Sequence, residues 1–123
     1  MAGTDPEEMA WAPAPAETPR ADFVDVNLGC PIDHFTRKGM GAALARQPKR
    51  VGRIVAAMVA AVSRAPITVK VRLGWNDRDR NVLDVARAAV DGGAQAVFVH
   101  GRTRDARYRS AADWDAVGEV AAA

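Results

Sequence analysis

Cysteine is nearly absent from this 123-residue sequence, which contains a single one, Cys30. One thiol excludes a disulfide framework within the chain and leaves no cysteine cluster for a structural zinc. Long apolar runs are also missing. The longest, residues 54–62, is far short of the roughly 20 residues that a membrane-spanning helix requires. The opening residues MAGTDPEE are acidic and carry neither a basic nor an apolar stretch, so no secretory leader is expected and a reduced, cytoplasmic setting follows. There is no phosphate-binding P-loop and no GxGxxG. No acidic cluster with His ligands is visible, so no metal site is expected. Acidic residues are missing entirely between His34 and Asn76.

What fills that window is basic: Arg37, Lys38, Arg46, Lys49, Arg50, Arg53, Arg64, Lys70 and Arg72. A second cluster, Arg102, Arg104, Arg107 and Arg109, is relieved only by Asp105. Two readings are open: the electrostatic footprint of a polyanion such as RNA, or a solvated helix face. With 49% hydrophobic and 26% charged residues the composition is that of a globular chain. Its length falls well short of the ~250 residues of a complete α/β barrel.

From residue 21 onward the pattern alternates between strand and helix. Residues 22–28 (DFVDVNL), 67–73 (ITVKVRL) and 96–100 (AVFVH) read as strands. Between them, residues 48–64 carry apolar side chains at 51, 54, 55, 58, 59 and 62, the spacing of one helix face. Residues 81–91 form a shorter helix closed by Gly92-Gly93, which can take a left-handed cap. Asp113 opens a last helix with Trp114, Val117 and Val120 on one face. Ahead of all this, Thr4-Asp5-Pro6-Glu7-Glu8 reads as a helix start. Pro13, Pro15 and Pro19 confine that helix to about Trp11. The expected organisation is therefore a partial helix and Pro/Ala-rich linker over 1–20, then a parallel α/β unit over 21–123.

Period-two alternation assigns the faces. Val24, Val26 and Leu28, then Ile67, Val69, Val71 and Leu73, then Val97 and Val99, form one apolar side. Opposite them stand Phe23, Asp25 and Asn27, then Thr68, Lys70 and Arg72, then Ala96, Phe98 and His100. One apolar and one polar-ended face suit a barrel, helices outside and functional groups at the C-terminal mouth. A doubly wound sheet would be apolar on both faces. Cys30 lies just past the first strand between Gly29 and Pro31. It reads either as core filler or as a reactive thiol, which is mostly protonated at neutral pH and so suited to donate a proton. Lys70 sits mid-strand and His100 at a strand end. Each alone has a structural reading, but together they suit a ring-and-phosphate ligand.

Residues 22–33 (DFVDVNLGCPID) resemble the signature segment of the tRNA-dihydrouridine synthases. Residues 37–44 (RKGMGAAL), 68–75 (TVKVRLGW) and 100–104 (HGRTR) are similar to later segments of that family, in the same order. The resemblance runs from about Ala21 to Val120. Pro31-Ile32-Asp33 and residues 107–110 look most like the branch that includes a eukaryotic type. What it implies is a TIM-barrel domain that binds FMN, is reduced by NADPH and passes hydride to C6 of a flipped-out uridine in tRNA. The matched cysteine, Cys30, protonates C5; Lys70 and His100 contact FMN; Asn27, Arg72 and Arg102 lie near the uridine or its phosphates. Three strands of eight correspond to the family's fourth to sixth. The chain is thus expected to be an internal piece of a partial (β/α)8 barrel, lacking the helical tRNA-binding domain and cut at both ends. Its first residues resemble the segment directly after the family's FMN-contacting glutamine. A half barrel with open edges is expected to associate or aggregate and to be inactive without the missing half or a second chain. The alternatives are a flavin barrel that reduces a free pyrimidine, of the dihydroorotate or dihydropyrimidine dehydrogenase type, and a non-catalytic RNA-binding remnant.

Overall fold

Nine short elements account for residues 1–11 and 21–123, the residues described by the computed structural model. In chain order they are α1 (Pro6–Trp11), β1 (Val24–Leu28), the single turn α2 (Asp33–Thr36) and a 3-10 segment (Gly41–Arg46). Then come α3 (Pro48–Ala61), β2 (Ile67–Arg72), α4 (Val82–Asp91), β3 (Ala96–His100) and α5 (Trp114–Ala122). The expected linker falls on residues 12–20, outside the described residues. No helix among the described residues is long and apolar enough to cross a membrane.

The three strands are parallel and lie in chain order, β1-β2-β3. Crossovers between neighbouring parallel strands are right-handed. Because the order never reverses, both crossover helices fall on the same side of the sheet, and α3 packs against α4. The sheet is therefore wound in one direction only, as the one-sided apolar pattern requires. Val24, Val26, Leu28, Ile67, Val69 and Val71 are buried beneath Val51, Ile54, Val55 and Met58 of α3 and Val85 and Ala89 of α4. At about 1.5–3 kcal/mol for each such side chain removed from water, this single layer is the main source of cohesion. The opposite face is open, with Phe23 and Phe98 51% and 46% exposed and their ring centroids 6.3 Å apart.

Local chemistry sets the element ends. The side chain of Asp5 accepts hydrogen bonds from the Glu7 and Glu8 amides at 2.9 and 3.1 Å, so Asp5 caps α1 and Pro6 takes the first helical position. Met9 carries α1 into the core against α3. Of the two glycines after α4, Gly92 stays right-handed and Gly93 takes the positive φ of 99° that terminates the helix. Asp113 caps α5 by accepting from the Ala116 amide at 3.0 Å. The expected apolar face of α5 is corrected. Trp114 sits in the first turn and is 76% exposed, while Ala116 and Val120 make the contact with the core. At the β1 edge the Met1 carbonyl accepts from the Asn27 amide at 2.7 Å and the Met1 ammonium donates to the Asp25 carbonyl.

Met58 has no exposed surface. Its replacement by Ala is expected to lower stability by about 2–5 kcal/mol, measured as the shift in a urea denaturation curve at constant slope.

Candidate active site at the C-terminal strand ends

The chain turns sharply where β1 ends. Asn27 accepts from the Gly29 and Cys30 amides through Oδ1, both at 3.0 Å, the local side-chain turn that Asn favours. This turn lifts Cys30 off the strand. The 3-10 segment holds it from the other side, where the Ala42 amide donates to the Cys30 carbonyl at 3.1 Å. Gly41 has φ of 59°, and a Cβ there would lie 2.8 Å from the Cys30 Cβ, so only glycine permits this approach. Cys30 is half-buried, and its thiol is free.

Register brings the other residues into layers on the open face. Asn27, Lys70 and Phe98 share one; Arg72 and His100 share the next toward the C-terminal end. Lys70 is exposed on this face. Arg72 is not: it is 6% exposed. Its Nε donates to the Gly29 carbonyl at 2.9 Å, and one terminal nitrogen donates to the Thr103 and Arg107 carbonyls at 3.1 and 3.3 Å. Burial pulls its pKa below the ordinary guanidinium range. Arg107 adopts a left-handed backbone, φ 51°, unusual for a side-chain-bearing residue, and its carbonyl is one of those three acceptors. Asn27 and Arg72, expected beside substrate, thus also shape the loop that carries Cys30.

His100 lies 3.1 Å, Nε2 to terminal nitrogen, from Arg102. A guanidinium cannot accept, so Nε2 is the acceptor and the imidazole is neutral, with its proton on Nδ1. Burial, then the positive charges of Arg72, Lys70 and Arg102, push the His100 pKa down. Arg102 also donates to the Ser110 carbonyl at 2.7 Å. Over this group lies Tyr108, its ring 5.7 Å from His100 and from the Arg72 guanidinium and 5.5 Å from that of Arg102. The surrounding side chains Tyr108, Trp75, Asp33 and Arg104 were not among the expected site residues. A lone acid three residues past the cysteine, ahead of an otherwise acid-free stretch, was the available signal.

The basic window does not fold into one patch. Arg37, Lys38 and Lys49 are exposed near the strand ends, whereas Lys70 is on the open sheet face, Arg72 is buried and Arg53 is on the flank of α3. Arg46 is paired with Asp79 at 3.1 Å and lies 5.2 Å from the Trp75 ring. Among the described residues no group of three or more His, Cys, Asp or Glu could hold a metal ion.

A family model for dihydrouridine synthases (Dus) matches residues 1–123. The chain belongs to the dihydrouridine synthase family. It is 44% identical over 115 residues to the probable tRNA-dihydrouridine synthase 1 of Synechocystis sp., covering 94% of this chain and 32% of that protein. It is 39% identical over 120 residues to tRNA-dihydrouridine synthase B of Yersinia pestis, covering 98% and 37%. With the B-type synthase of Vibrio cholerae the identity is 40% over 123 residues, covering 100% and 38%. The chain therefore spans about a third of the length of the curated relatives it matches. These bacterial relatives do not resolve the branch expected within the family.

In this dihydrouridine synthase chain the depressed His100 pKa has a sign. The unfolded imidazole takes up a proton near 6.5, before the folded one does. Stability contributed by neutral His100 is therefore complete above that value and declines as pH falls from it through the folded pKa. An NMR titration is expected to place the His100 midpoint below the ordinary imidazole value of 6.5.

Proposed function

We propose that this chain carries the proton-donating part of a flavin-dependent tRNA-dihydrouridine synthase, an oxidoreductase that converts a uridine of tRNA to 5,6-dihydrouridine. The observation that carries this reading is a free, half-buried Cys30 in the loop after β1, with Lys70 on β2 and His100 at the end of β3 on one face of the parallel sheet. In α/β barrels that end is where reacting groups gather. We assign the unit to three strands of such a barrel; one-directional winding and an open face bearing Phe23, Phe98 and Lys70 support this.

The residues present fit FMN. Lys70 offers a cation on the open face, and neutral His100 offers an Nδ1 proton one layer on, a donor set matched to the carbonyl and ring-nitrogen acceptors of a flavin. Lys70 and His100 would hold it. Bound and reduced by NADPH, FMN supplies the hydride received at uridine C6. Cys30 delivers the proton to C5, so the C5=C6 π bond is lost, two C–H bonds form and a thiolate remains until solvent reprotonates it. Arg72, whose Nε donates to the carbonyl of neighbouring Gly29 at 2.9 Å, stands beside the loop that carries the thiol. Asn27 and Arg72 fix the cysteine loop beside the uridine, and Arg102 lies where a flanking phosphate would be met. A stacked base must be extruded to be reached. Exposed Arg37, Lys38, Lys49, Arg107 and Arg109 supply contacts to the backbone of the tRNA partner. A tRNA substrate places the reaction in the cytoplasm. A free pyrimidine would make no use of these cations, and the family matched is that of the dihydrouridine synthases.

In a full-length synthase, Cys30→Ala is expected to retain flavin while uridine reduction falls by about 10²–10⁴, the usual worth of a general acid. Dihydrouridine is counted by mass spectrometry of digested tRNA, and full activity would overturn the assignment. We further propose that the 123-residue chain is inactive alone, because three strands with an open inner face do not enclose a ligand. After mixing with FMN and desalting, flavin absorbance is expected to be lost. Retention of one flavin per chain would show that association with a second chain completes the site.

A further inference from the structure

Three loops meet above the sheet: the cysteine loop after β1, the Gly74-Trp75 turn after β2 and the Arg104-Asp105 segment after β3. Backbone hydrogen bonds join the second and third, from the Arg104 amide to the Gly74 carbonyl at 2.9 Å and from the Asp105 amide to the Trp75 carbonyl at 3.0 Å. The cysteine loop joins them through one side chain. Arg104 donates to the Asp33 carboxylate with one terminal nitrogen and to Asp105 with the other, at 2.9 Å. Its guanidinium lies 4.5 Å from the Trp75 ring centroid.

We propose that Arg104 is a positioning residue for Cys30, acting through Asp33 to lock the cysteine loop onto the other two. Arg104 is held in its own right: its side chain is only 16% exposed, against 53% for Asp33, and stacking on Trp75 adds a cation–π contact that a lysine's point charge would not reproduce as well. The pull on Asp33 reaches the thiol over a short, stiff path. Only Pro31 and Ile32 separate Asp33 from Cys30, and the proline ring fixes one of the intervening dihedrals. Asp33 also begins the turn of α2, where the Phe35 and Thr36 amides donate to the Ile32 carbonyl at 3.0 Å each. The remaining cation near Asp33, Arg107, stands 3.8 Å away and is half exposed, so it cannot replace the clamp. The position of the acid that delivers a proton to C5 is thereby set from the loop of another strand. That catalytic meaning rests on the function proposed above; the clamp itself does not.

The single thiol makes the test site-specific. Iodoacetamide alkylation of Cys30 in the 123-residue chain, followed by intact mass, reads how well the loop shields and holds the sulfur. Arg104→Gln and Asp33→Asn are each expected to raise the alkylation rate roughly two- to five-fold, the scale of a partly exposed ion pair. The double variant is expected to match the faster single one, because both remove the same link. Unchanged rates in the folded single variants, or effects that multiply in the double variant, would overturn the proposal. Should Arg104→Gln fail to fold by circular dichroism, salt decides. About 1 M NaCl screens the pair, and is expected to speed alkylation of the unmodified chain but not of Asp33→Asn; equal acceleration of both would overturn it. An active Cys30→Ala enzyme would remove the proton-donor reading and leave these rates untouched, so the two failures are distinguishable.

Discussion

A buried guanidinium governs the top of this sheet. Arg72 is buried, and it donates to backbone carbonyls of the loops after β1 and β3. Burying a charge is costly unless it is hydrogen-bonded, so each of those carbonyls must stay where it is. This fixes Gly29, next to Cys30, and draws Arg107 into a left-handed backbone. Together with the Asn27 turn and the Ala42 contact, that requirement shapes the loop that seats the thiol. The cost is returned as rigidity where geometry matters most for chemistry.

The positive charge has a second effect. Burial, and after it the charges of Arg72, Lys70 and Arg102, pushes the His100 pKa down, so a cationic surrounding favours a neutral imidazole that can both accept and donate. A protonated histidine would add to a field already strong and lose its acceptor nitrogen.

Much of this was legible in the sequence. The alternation of Val24, Val26, Leu28 with Asp25 and Asn27, repeated at β2, assigned the faces, and burial follows it at every apolar position of the first two strands. On the second face the pattern is less uniform, for Thr68 and Arg72 are buried beside exposed Lys70. It is weaker at β3, whose Val97 and Val99 are only partly covered. The 3-10 segment and the turn at Asp33 left no periodic signal, being too short to show one. Cys30, Lys70, Arg72 and His100 were singled out by residue type and strand position. What spacing could not disclose was their division of labour: that Arg72 would be consumed by loop carbonyls, that the acid-free stretch would scatter its charges over several faces, and that Trp75 would be flanked by two arginines. Those outcomes depend on loop geometry, which pairs residues tens of positions apart.

The last helix illustrates how unevenly such a fold is held. No side chain of α5 is fully buried; it leans on the sheet through Ala116 and Val120, over a shallow apolar groove formed with α4 and β3. Its beginning is anchored, since the Asp113 amide donates to the Gly101 carbonyl at 2.7 Å and the Asp113 carboxylate pairs with Arg80 at 2.7 Å. Its far end has no comparable tie. Opening of its later turns is therefore expected to stop at Asp113. Opening of this kind uncovers the outer flank of β3 while leaving the loops around the cysteine assembled, so breathing of the periphery and order in those loops are thermodynamically separate.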